Sequence, residues 1–391
     1  MEIKQIYELV NQATQETIGD SVILQEDLSN LVDVGTALMN ANSVDKYVRS
    51  LVDHIGKVIF VNRPYSGTAP SVLRDGWEYG AVLEKIHSQM PEATENESWE
   101  LEGGVSYDPN IFYKPKAFAK FYNKSTTWEI PMSFAEMQVK GSFSSASQKN
   151  GFLSMLMTQV ENSASIKTSD LIQRTINHMI GETFYDLSSA GTYTSGGIRC
   201  VNLLADFNSK FSKQLELADC VTDPDFIRYA GYVMNLYKNR MTKMSTLFNI
   251  GGQQRFTPKD RLHMVLLSEF AEAAGVYLQS DTFHDEFVKL PEAEVVPFWQ
   301  ASGVDYGIGT TSKIDCNINS GSNARVQADG ILGIMFDHDA LGVCNEDRHV
   351  TTNYNPKAEF FTNWYKFKTS YFNDLNENFV VFYAQYTKPS N

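Results

Sequence analysis

Residues Gly330 to Val343 read GILGIMFDHDALGV, and residues Phe360 to Ala384 read FFTNWYKFKTSYFNDLNENFVVFYA. The first segment is a short apolar run ending in Asp337, followed by an Asp-Ala-Leu-Gly turn at Asp339–Gly342. A polar stretch with Asn355-Pro356 leads to an aromatic strand pattern, and a polar break at Asn373–Asn378 precedes a last apolar strand. Short apolar runs bounded by turn signals read as buried strands. The end of the chain is therefore expected to hold an aromatic strand and a last apolar strand.

Upstream of these strands lie helical blocks and a few short extended ones. His263 to Leu267 is a short buried-type strand, and Ser268-Glu269 opens a helix through Leu278. Asp223-Pro224 starts another helix, with Pro in the favoured first position and Lys238, Arg240 and Lys243 near its end, where cations suit the helix dipole. A further helix is expected over roughly Val201 to Leu217. Val295-Val296 and Val304 to Ile308 are strand candidates. A helix with Phe152, Leu153, Leu156 and Val160 on one face follows Ser147, and Thr168-Ser169-Asp170 reads as the start of a second, longer helix with Leu171, Ile172, Ile176, Met179, Ile180 and Phe184 on its apolar face. Residues 188 to 197 are rich in Gly, Ser and Thr and mark a boundary. Strands and helices are segregated rather than alternating, which argues for an α+β fold.

The stretch from Gln89 to Ser145 is different. It carries four prolines and the pair Gly103-Gly104, and among them Trp99, Tyr107, Phe112, Tyr113, Phe118, Phe121, Tyr122 and Trp128. Helical periodicity is poor there. Two long strands running out and back as one extended hairpin are expected, because a structureless loop of such length is uncommon without a function. Near the N-terminus Ile3, Ile6, Tyr7 and Val10 form a narrow helical stripe that needs a surface to lie on. Ser43 caps a helix running to Ile55, and Val58 to Val61 reads as a strand.

Composition bounds what such a protein does. The chain has 391 residues, 42% of them hydrophobic, with 33 basic against 47 acidic residues for a net charge of −14. Phosphate binding needs clustered Lys and Arg, and no run of them is evident. Cys200, Cys220, Cys316 and Cys344 lie far apart with no zinc-type spacing, which suits a reducing compartment. No apolar stretch approaches the roughly 18 residues of a membrane span, and no signal-peptide core is present at MEIKQIYELV.

Candidate chemistry is sparse. Asp337-His338-Asp339 with His349 has the residue types of a metal or acid–base site, but adjacent strand residues point to opposite faces, so a solvated turn is the simpler reading. Glu292 and Glu294 share a strand face and read as solvated acids. His54 and His178 lie in helical patterns and read as packed. Gly191 to Gly197 has no phosphate-loop spacing. No catalytic residue, metal ligand or cofactor is expected.

The order of these parts resembles the tailed-bacteriophage major capsid proteins of the Hong Kong 97 type. On that resemblance residues 1–60 are an N-terminal arm, 61–88 the first part of a peripheral domain, 89–142 an extended E-loop hairpin, 143–190 the peripheral domain with its long spine helix, 191–325 an axial domain, and 326–391 the C-terminal return strands. The strand-then-helix LHMVLLSEFAEAAGVYL is similar to the family's usual axial element. The resemblance implies a shell protein for a double-stranded DNA genome, located in the virion and assembled in the host bacterial cytoplasm. It implies hexamers and pentamers of the chain itself, a separate scaffolding protein, a portal protein, room for a decoration protein, and DNA met only by non-specific proximity. Inter-subunit contacts would fall on the hairpin aromatics Trp99, Tyr107, Phe112, Tyr113, Phe118, Phe121, Tyr122 and Trp128, and on Ile3, Ile6, Tyr7 and Val10 of the arm. Lys114, Lys116, Lys120 and Lys124 sit where some relatives crosslink, although lysine on an exposed strand ordinarily protects an edge. An encapsulin shell shares the fold, and a hydrolase with a long aromatic lid is the alternative of another class.

Overall fold

The computed structural model describes residues 69–74, 83–88, 112–135, 146–189, 196–279, 290–300, 307–318 and 324–385, with short pieces at 11, 13–15, 90–91, 93, 95, 103 and 110. Ile3, Ile6, Tyr7, Val10, the helix after Ser43, the strand at 58–61, Trp99 and Tyr107 lie outside the described residues. In chain order the elements are β1 (Leu73–Arg74), β2 (Leu83–Ser88), β3 (Ala117–Tyr122), β4 (Ser125–Ala135), α1 (Ala146–Ser189), β5 (Cys200–Asn202), α2 (Leu203–Phe211), α3 (Pro224–Arg240), β6 (Leu262–Leu267), α4 (Ser268–Gln279), β7 (Glu294–Val296), α5 (Ile308–Thr311), β8 (Ile314–Asn317), β9 (Arg325–Ala328), β10 (Ile331–Asp337), β11 (Leu341–Asn355), β12 (Phe360–Asn373) and β13 (Phe379–Tyr383). They fall into two units. One comprises Met1–Glu78, Ser125–Thr175 and Gly342–Tyr371, the other Tyr79–Lys124, Ile176–Leu341 and Phe372–Asn391.

The first unit is a sheet in the order β1-β11-β12-β4 with the early turns of α1. Along β12 the residues Phe361, Asn363, Tyr365, Phe367 and Thr369 are buried at every second position, the period of a strand with one covered face. Val160 and Ala164, four residues apart and so on one side of α1, pack with Tyr365 and Phe367. Trp128, Ile130 and Met132 of β4 and Val350 of β11 close that cluster.

Two expectations are corrected in this unit. β11 is a strand of 15 residues where the sequence reads as a polar stretch, because beyond Cys344 its side chains are half-buried or exposed and carry little hydropathy. Among the described residues β4 pairs with no limb of the hairpin. It pairs antiparallel with β12 from Phe360↔Ala135 to Ser370↔Ser125.

The second unit holds a mixed sheet in the order β5-β13-β10-β6-β7. All seven residues of β10 and all five of β13 are buried, which is the continuous apolar run of a strand covered on both faces. On one side Phe207 of α2, Phe226 and Met234 of α3 and Phe270 of α4 pack with Met335 and Phe382. On the other, Phe184 of α1 meets Tyr383 edge-on, with ring centroids 5.0 Å apart. Gly330 enters β10 at φ 73°, and a Cβ there would collide with the carbonyl of Ala384. α3 starts as its sequence indicates, with the Phe226 N–H donating to Asp223 Oδ1 at 2.9 Å and Pro224 in the first turn.

Three further expectations are corrected. α1 is one helix of 44 residues rather than two. Thr168 does not cap a new start; its buried hydroxyl donates back to the Ala164 carbonyl at 3.0 Å, a bond available inside a continuous helix. The helix expected from Val201 begins at Leu203 and ends at Phe211, since Cys200–Asn202 pairs parallel with β13 and Asn202 caps the helix by accepting from Ala205 N–H. Ile308 opens the short helix α5 instead of ending a strand.

Candidate functional site

β2 and β3 pair antiparallel from Leu83↔Tyr122 to Ser88↔Ala117. Directly opposed residues of such a pair share a face. One face therefore carries Lys85 and Lys120 with Leu83, Tyr122, His87 and Phe118; the other carries Ile86, Ala119, Glu84 and Phe121. The usual polarity is reversed. Lys85, Lys120 and His87 are half-buried, whereas Ile86 is 68% and Phe121 62% exposed. Beyond the pair, Phe112 and Tyr113 are 84% and 82% exposed, and Met90 is exposed as well.

Two lysines opposite one another would repel. Here one carboxylate lies between them: Asp374 stands 3.1 Å from Lys85 through Oδ2 and 3.1 Å from Lys120 through Oδ1. Lys85 also donates to the Asp339 carbonyl at 2.5 Å and stands over the Phe372 ring, on which Tyr122 packs at 5.4 Å. Asp374 is fully buried, and its backbone N–H donates to Ala340 O at 2.7 Å. Burial alone would push its carboxyl up, but Lys85, Lys120 and the Asn376 N–H hold it down at about 2. Glu377, beside it, goes the other way. Burial outweighs the attraction of Lys85 and Arg255 and raises it to about 7, helped by Asp337 and Asp374. Burial, then Arg255, lower the His87 imidazole, against the pull of Asp374. Burial, then Asp374, raise the Tyr122 phenol.

His87, Asp374 and Glu377 offer ligand atoms within 4.8 Å of one another. The geometry has the donor set of a metal site, but both oxygens of Asp374 already serve lysines, and Arg255 Nε lies 3.4 Å from Glu377. Three cations around two carboxylates leave no negative charge for an ion. The group is an anchor that ties the hairpin base to the Asn373–Asn378 turn.

That turn is the part sequence reasoning missed, since it reads as a solvated break. Lys120, read as an edge lysine, is one of its partners. Of the eight hairpin aromatics, Phe112, Tyr113, Phe118 and Phe121 are exposed. Tyr122 is half-buried against Phe372, and Trp128 is half-buried on β4 against the first unit's cluster, so the free hairpin does not carry these two. The Asp337–Asp339 segment is structural. Asp337 is buried rather than solvated and accepts from Asp339 N–H; His338 bonds His263 at 2.9 Å; Asp339 pairs with Arg261 at 2.6 Å. His349 is exposed and pairs with Asp347. No described helix is long and apolar enough to cross a membrane.

A long helix against a four-stranded sheet, a five-stranded mixed sheet under helices, and a hairpin with exposed apolar side chains define the class. The fold is α+β and is that of phage capsid subunits of the Hong Kong 97 type. A chain in the capsid structure of Staphylococcus phage Andhra superposes with a TM-score of 0.51 at 10% identity, covering 82% of this chain and 84% of that one. Chains from the capsid of Cyanophage P-SCSP1u (TM-score 0.44, 9% identity, 81% and 87% covered) and from the mature capsid of bacteriophage PhiM1 (0.44, 8%, 84% and 89%) also align. Comparison with curated proteins finds no match. The sequence profile of the Phi29-like phage major capsid proteins matches residues 6–383, and the chain belongs to that family. It is a shell protein of the phage virion that assembles with copies of itself, and the family is structural rather than enzymatic.

Proposed function

We propose that the chain builds the icosahedral head of a tailed phage around double-stranded DNA, as hexamers and pentamers, and that the hairpin is its principal arm onto a neighbour. One observation carries this reading. β2–β3 turns Lys85 and Lys120 inward onto Asp374 and leaves Ile86 and Phe121 on the other face in water. A subunit gains nothing from that arrangement by itself, whereas a neighbour covering Ile86, Phe121, Phe112 and Tyr113 gains apolar burial. The contact set is then Trp99, Tyr107, Phe112, Tyr113, Phe118 and Phe121, with Ile3, Ile6, Tyr7 and Val10 of the arm; Tyr122 and Trp128 serve the subunit. The domain scheme is carried over as part of this proposal: arm 1–60, peripheral domain 61–88 and 143–190 with return strands 326–391, axial domain 191–325, with β10 and β13 of the return strands in one sheet with β5, β6 and β7. The E-loop of 89–142 narrows to the segment between β2 and β3. A scaffolding protein, a portal and a decoration protein are the further partners, and assembly takes place in the host cytoplasm.

The test is deletion of residues 91–114, with Met90 joined to Pro115 by a Gly-Ser turn. This spares β2, β3 and the anchor. A folded, soluble subunit that no longer forms closed shells under the electron microscope is expected. Normal shells from the deleted protein would end the arm reading. Unfolding of the subunit, with the segment already protected from amide exchange before assembly, would make it part of the subunit core.

A further inference from the structure

The chain as a whole is acidic, yet residues 238–261 carry Lys238, Arg240, Lys243, Arg255, Lys259 and Arg261 against the single acid Asp260. The structure gathers them on one loop. The loop leaves the end of α3 at Met241 and returns where Thr257 N–H donates to Met241 O at 2.8 Å, with a bridge between Ser245 and Arg255 midway. Arg255 is taken by Glu377 and Arg261 by Asp339. Lys238, Arg240, Lys243 and Lys259 pair with no carboxylate among the described residues, and the last three are exposed. The dipole of α3 accounts for cations at Lys238 and Arg240 in its last turn. It does not reach Lys259. Leu247 and Phe256 on the same loop are also exposed, so the patch is cationic and apolar together.

Its complement is in the same chain. Between Lys85 and Lys114 there is no Lys or Arg, and Glu92, Glu95, Glu97, Glu100, Glu102 and Asp108 fall there, with Trp99 among them. The cationic loop lies beside the anchor of the hairpin base. Gly251 N–H donates to Leu375 O at 2.8 Å, so close that a Cβ on Gly251 would collide with Asn376. Each copy thus presents a cationic seat next to the root of an acidic, aromatic arm.

We propose that the loop 238–261 is the seat for the acidic segment 92–102 of a second copy's hairpin, a head-to-tail contact of the kind that closes into rings. The inference rests on reading the hairpin as an inter-subunit arm. Opposite charges at an exposed contact steer association and set register, and salt weakens them.

Charge reversal tests it. The triple variant Arg240→Glu, Lys243→Glu, Lys259→Glu is expected to lower the yield of closed shells at least about tenfold at moderate salt. Adding Glu95→Lys, Glu97→Lys and Glu100→Lys to the same chain is expected to restore them. Where the triple variant fails to fold, the pair Lys243→Cys and Glu97→Cys replaces it. Oxidised shells should then give crosslinks between copies, and unassembled subunits none. Normal shells from the triple variant overturn the seat, as do cysteine pairs that link only within one chain. Normal shells that fail to retain DNA assign the patch to nucleic acid and overturn it too. In each of these cases loss of shells on deleting 91–114 leaves the arm reading standing, whereas normal shells from that deletion remove both.

Discussion

β10–β13 and β2–β3 are both antiparallel pairs in the same unit, and they are built in opposite ways. The first is buried at every residue and is held by apolar contact with α2, α3 and α4 on one side and Phe184 on the other. The second is held by one carboxylate between two lysines, with Ile86, Phe118 and Phe121 left in water. Burial of apolar area stabilises wherever it happens, about 25 cal/mol per Å². In β10–β13 it happens on folding. On the arm reading proposed above, most of it in β2–β3 waits for a neighbour, and charge pairing fixes the strands meanwhile. The difference would then separate the energy of the subunit from the energy of the shell.

The contrast breaks if both pairs respond alike to truncation. Phe382→Ala removes a buried ring from the central cluster and is expected to cost about 3–5 kcal/mol in unfolding of the second unit. Amides of β6, β10 and β13 should lose exchange protection together. Asp374→Ala leaves Lys85 and Lys120 face to face. Losing one partner of a buried pair costs about 3–5 kcal/mol, and less here because Lys120 keeps contact with water. That loss should stay in β2 and β3, with β10 protected as before. Equal loss across the whole unit in both variants would mean that the hairpin base is ordinary core.

A smaller effect sharpens the comparison through pH, since the buried carboxyls Asp374 and Glu377 lie against the charged pair. Glu377 holds its proton more tightly folded than unfolded, so its contribution is complete below about 4.5 and is lost as pH rises through about 7. His87, lowered, acts in the opposite sense, its contribution being lost as pH falls below 6.5. Asp374 matters only as pH falls below 3.8 toward 2. Comparison with Glu377→Gln isolates the first effect. Between about pH 5 and 8 the unmodified base should lose on the order of 2 kcal/mol of protection relative to the variant. A difference that stays constant with pH would refute the assigned role of Glu377.

Both kinds of region have sequence signals, but only one kind is local. Asp223-Pro224 announces α3 because cap and helix are neighbours, and the runs at Ile331 and Phe379 announce strands because burial on both faces demands continuous apolar residues. Thr168 misleads because a hydroxyl that caps can also bond back within a helix. Asn373–Asn378 misleads more deeply. Its polar residues look solvated, and the lysines that pair with Asp374 stand 289 and 254 residues away. The exposed aromatics were readable as a group, yet only pairing register separates Phe121, facing out, from Tyr122 on Phe372. The cations of 238–261 were visible one by one, but the net acidity of the chain concealed that the loop collects them.

On the proposed arm reading, the smallest expected effect on the subunit is the largest on the shell. Ile86→Ser with Phe121→Ser changes two side chains that are mostly in water already, on the face turned from Asp374. Exposed substitutions away from caps, cores and ion pairs usually stay within about 0.5 kcal/mol. Denaturant unfolding of the isolated subunit should therefore hardly move, in contrast to Phe382→Ala. Each of the two side chains, once covered by a neighbour, contributes at most about 1.5–3 kcal/mol, and ordering the arm opposes part of that. The contact recurs in every copy, so a small loss per subunit multiplies over a closed ring. Sedimentation should show subunits or small oligomers in place of shells. A subunit destabilised by more than about 1 kcal/mol would place these residues in the fold, and unaltered shells would show that the outward face of β2–β3 meets no neighbour.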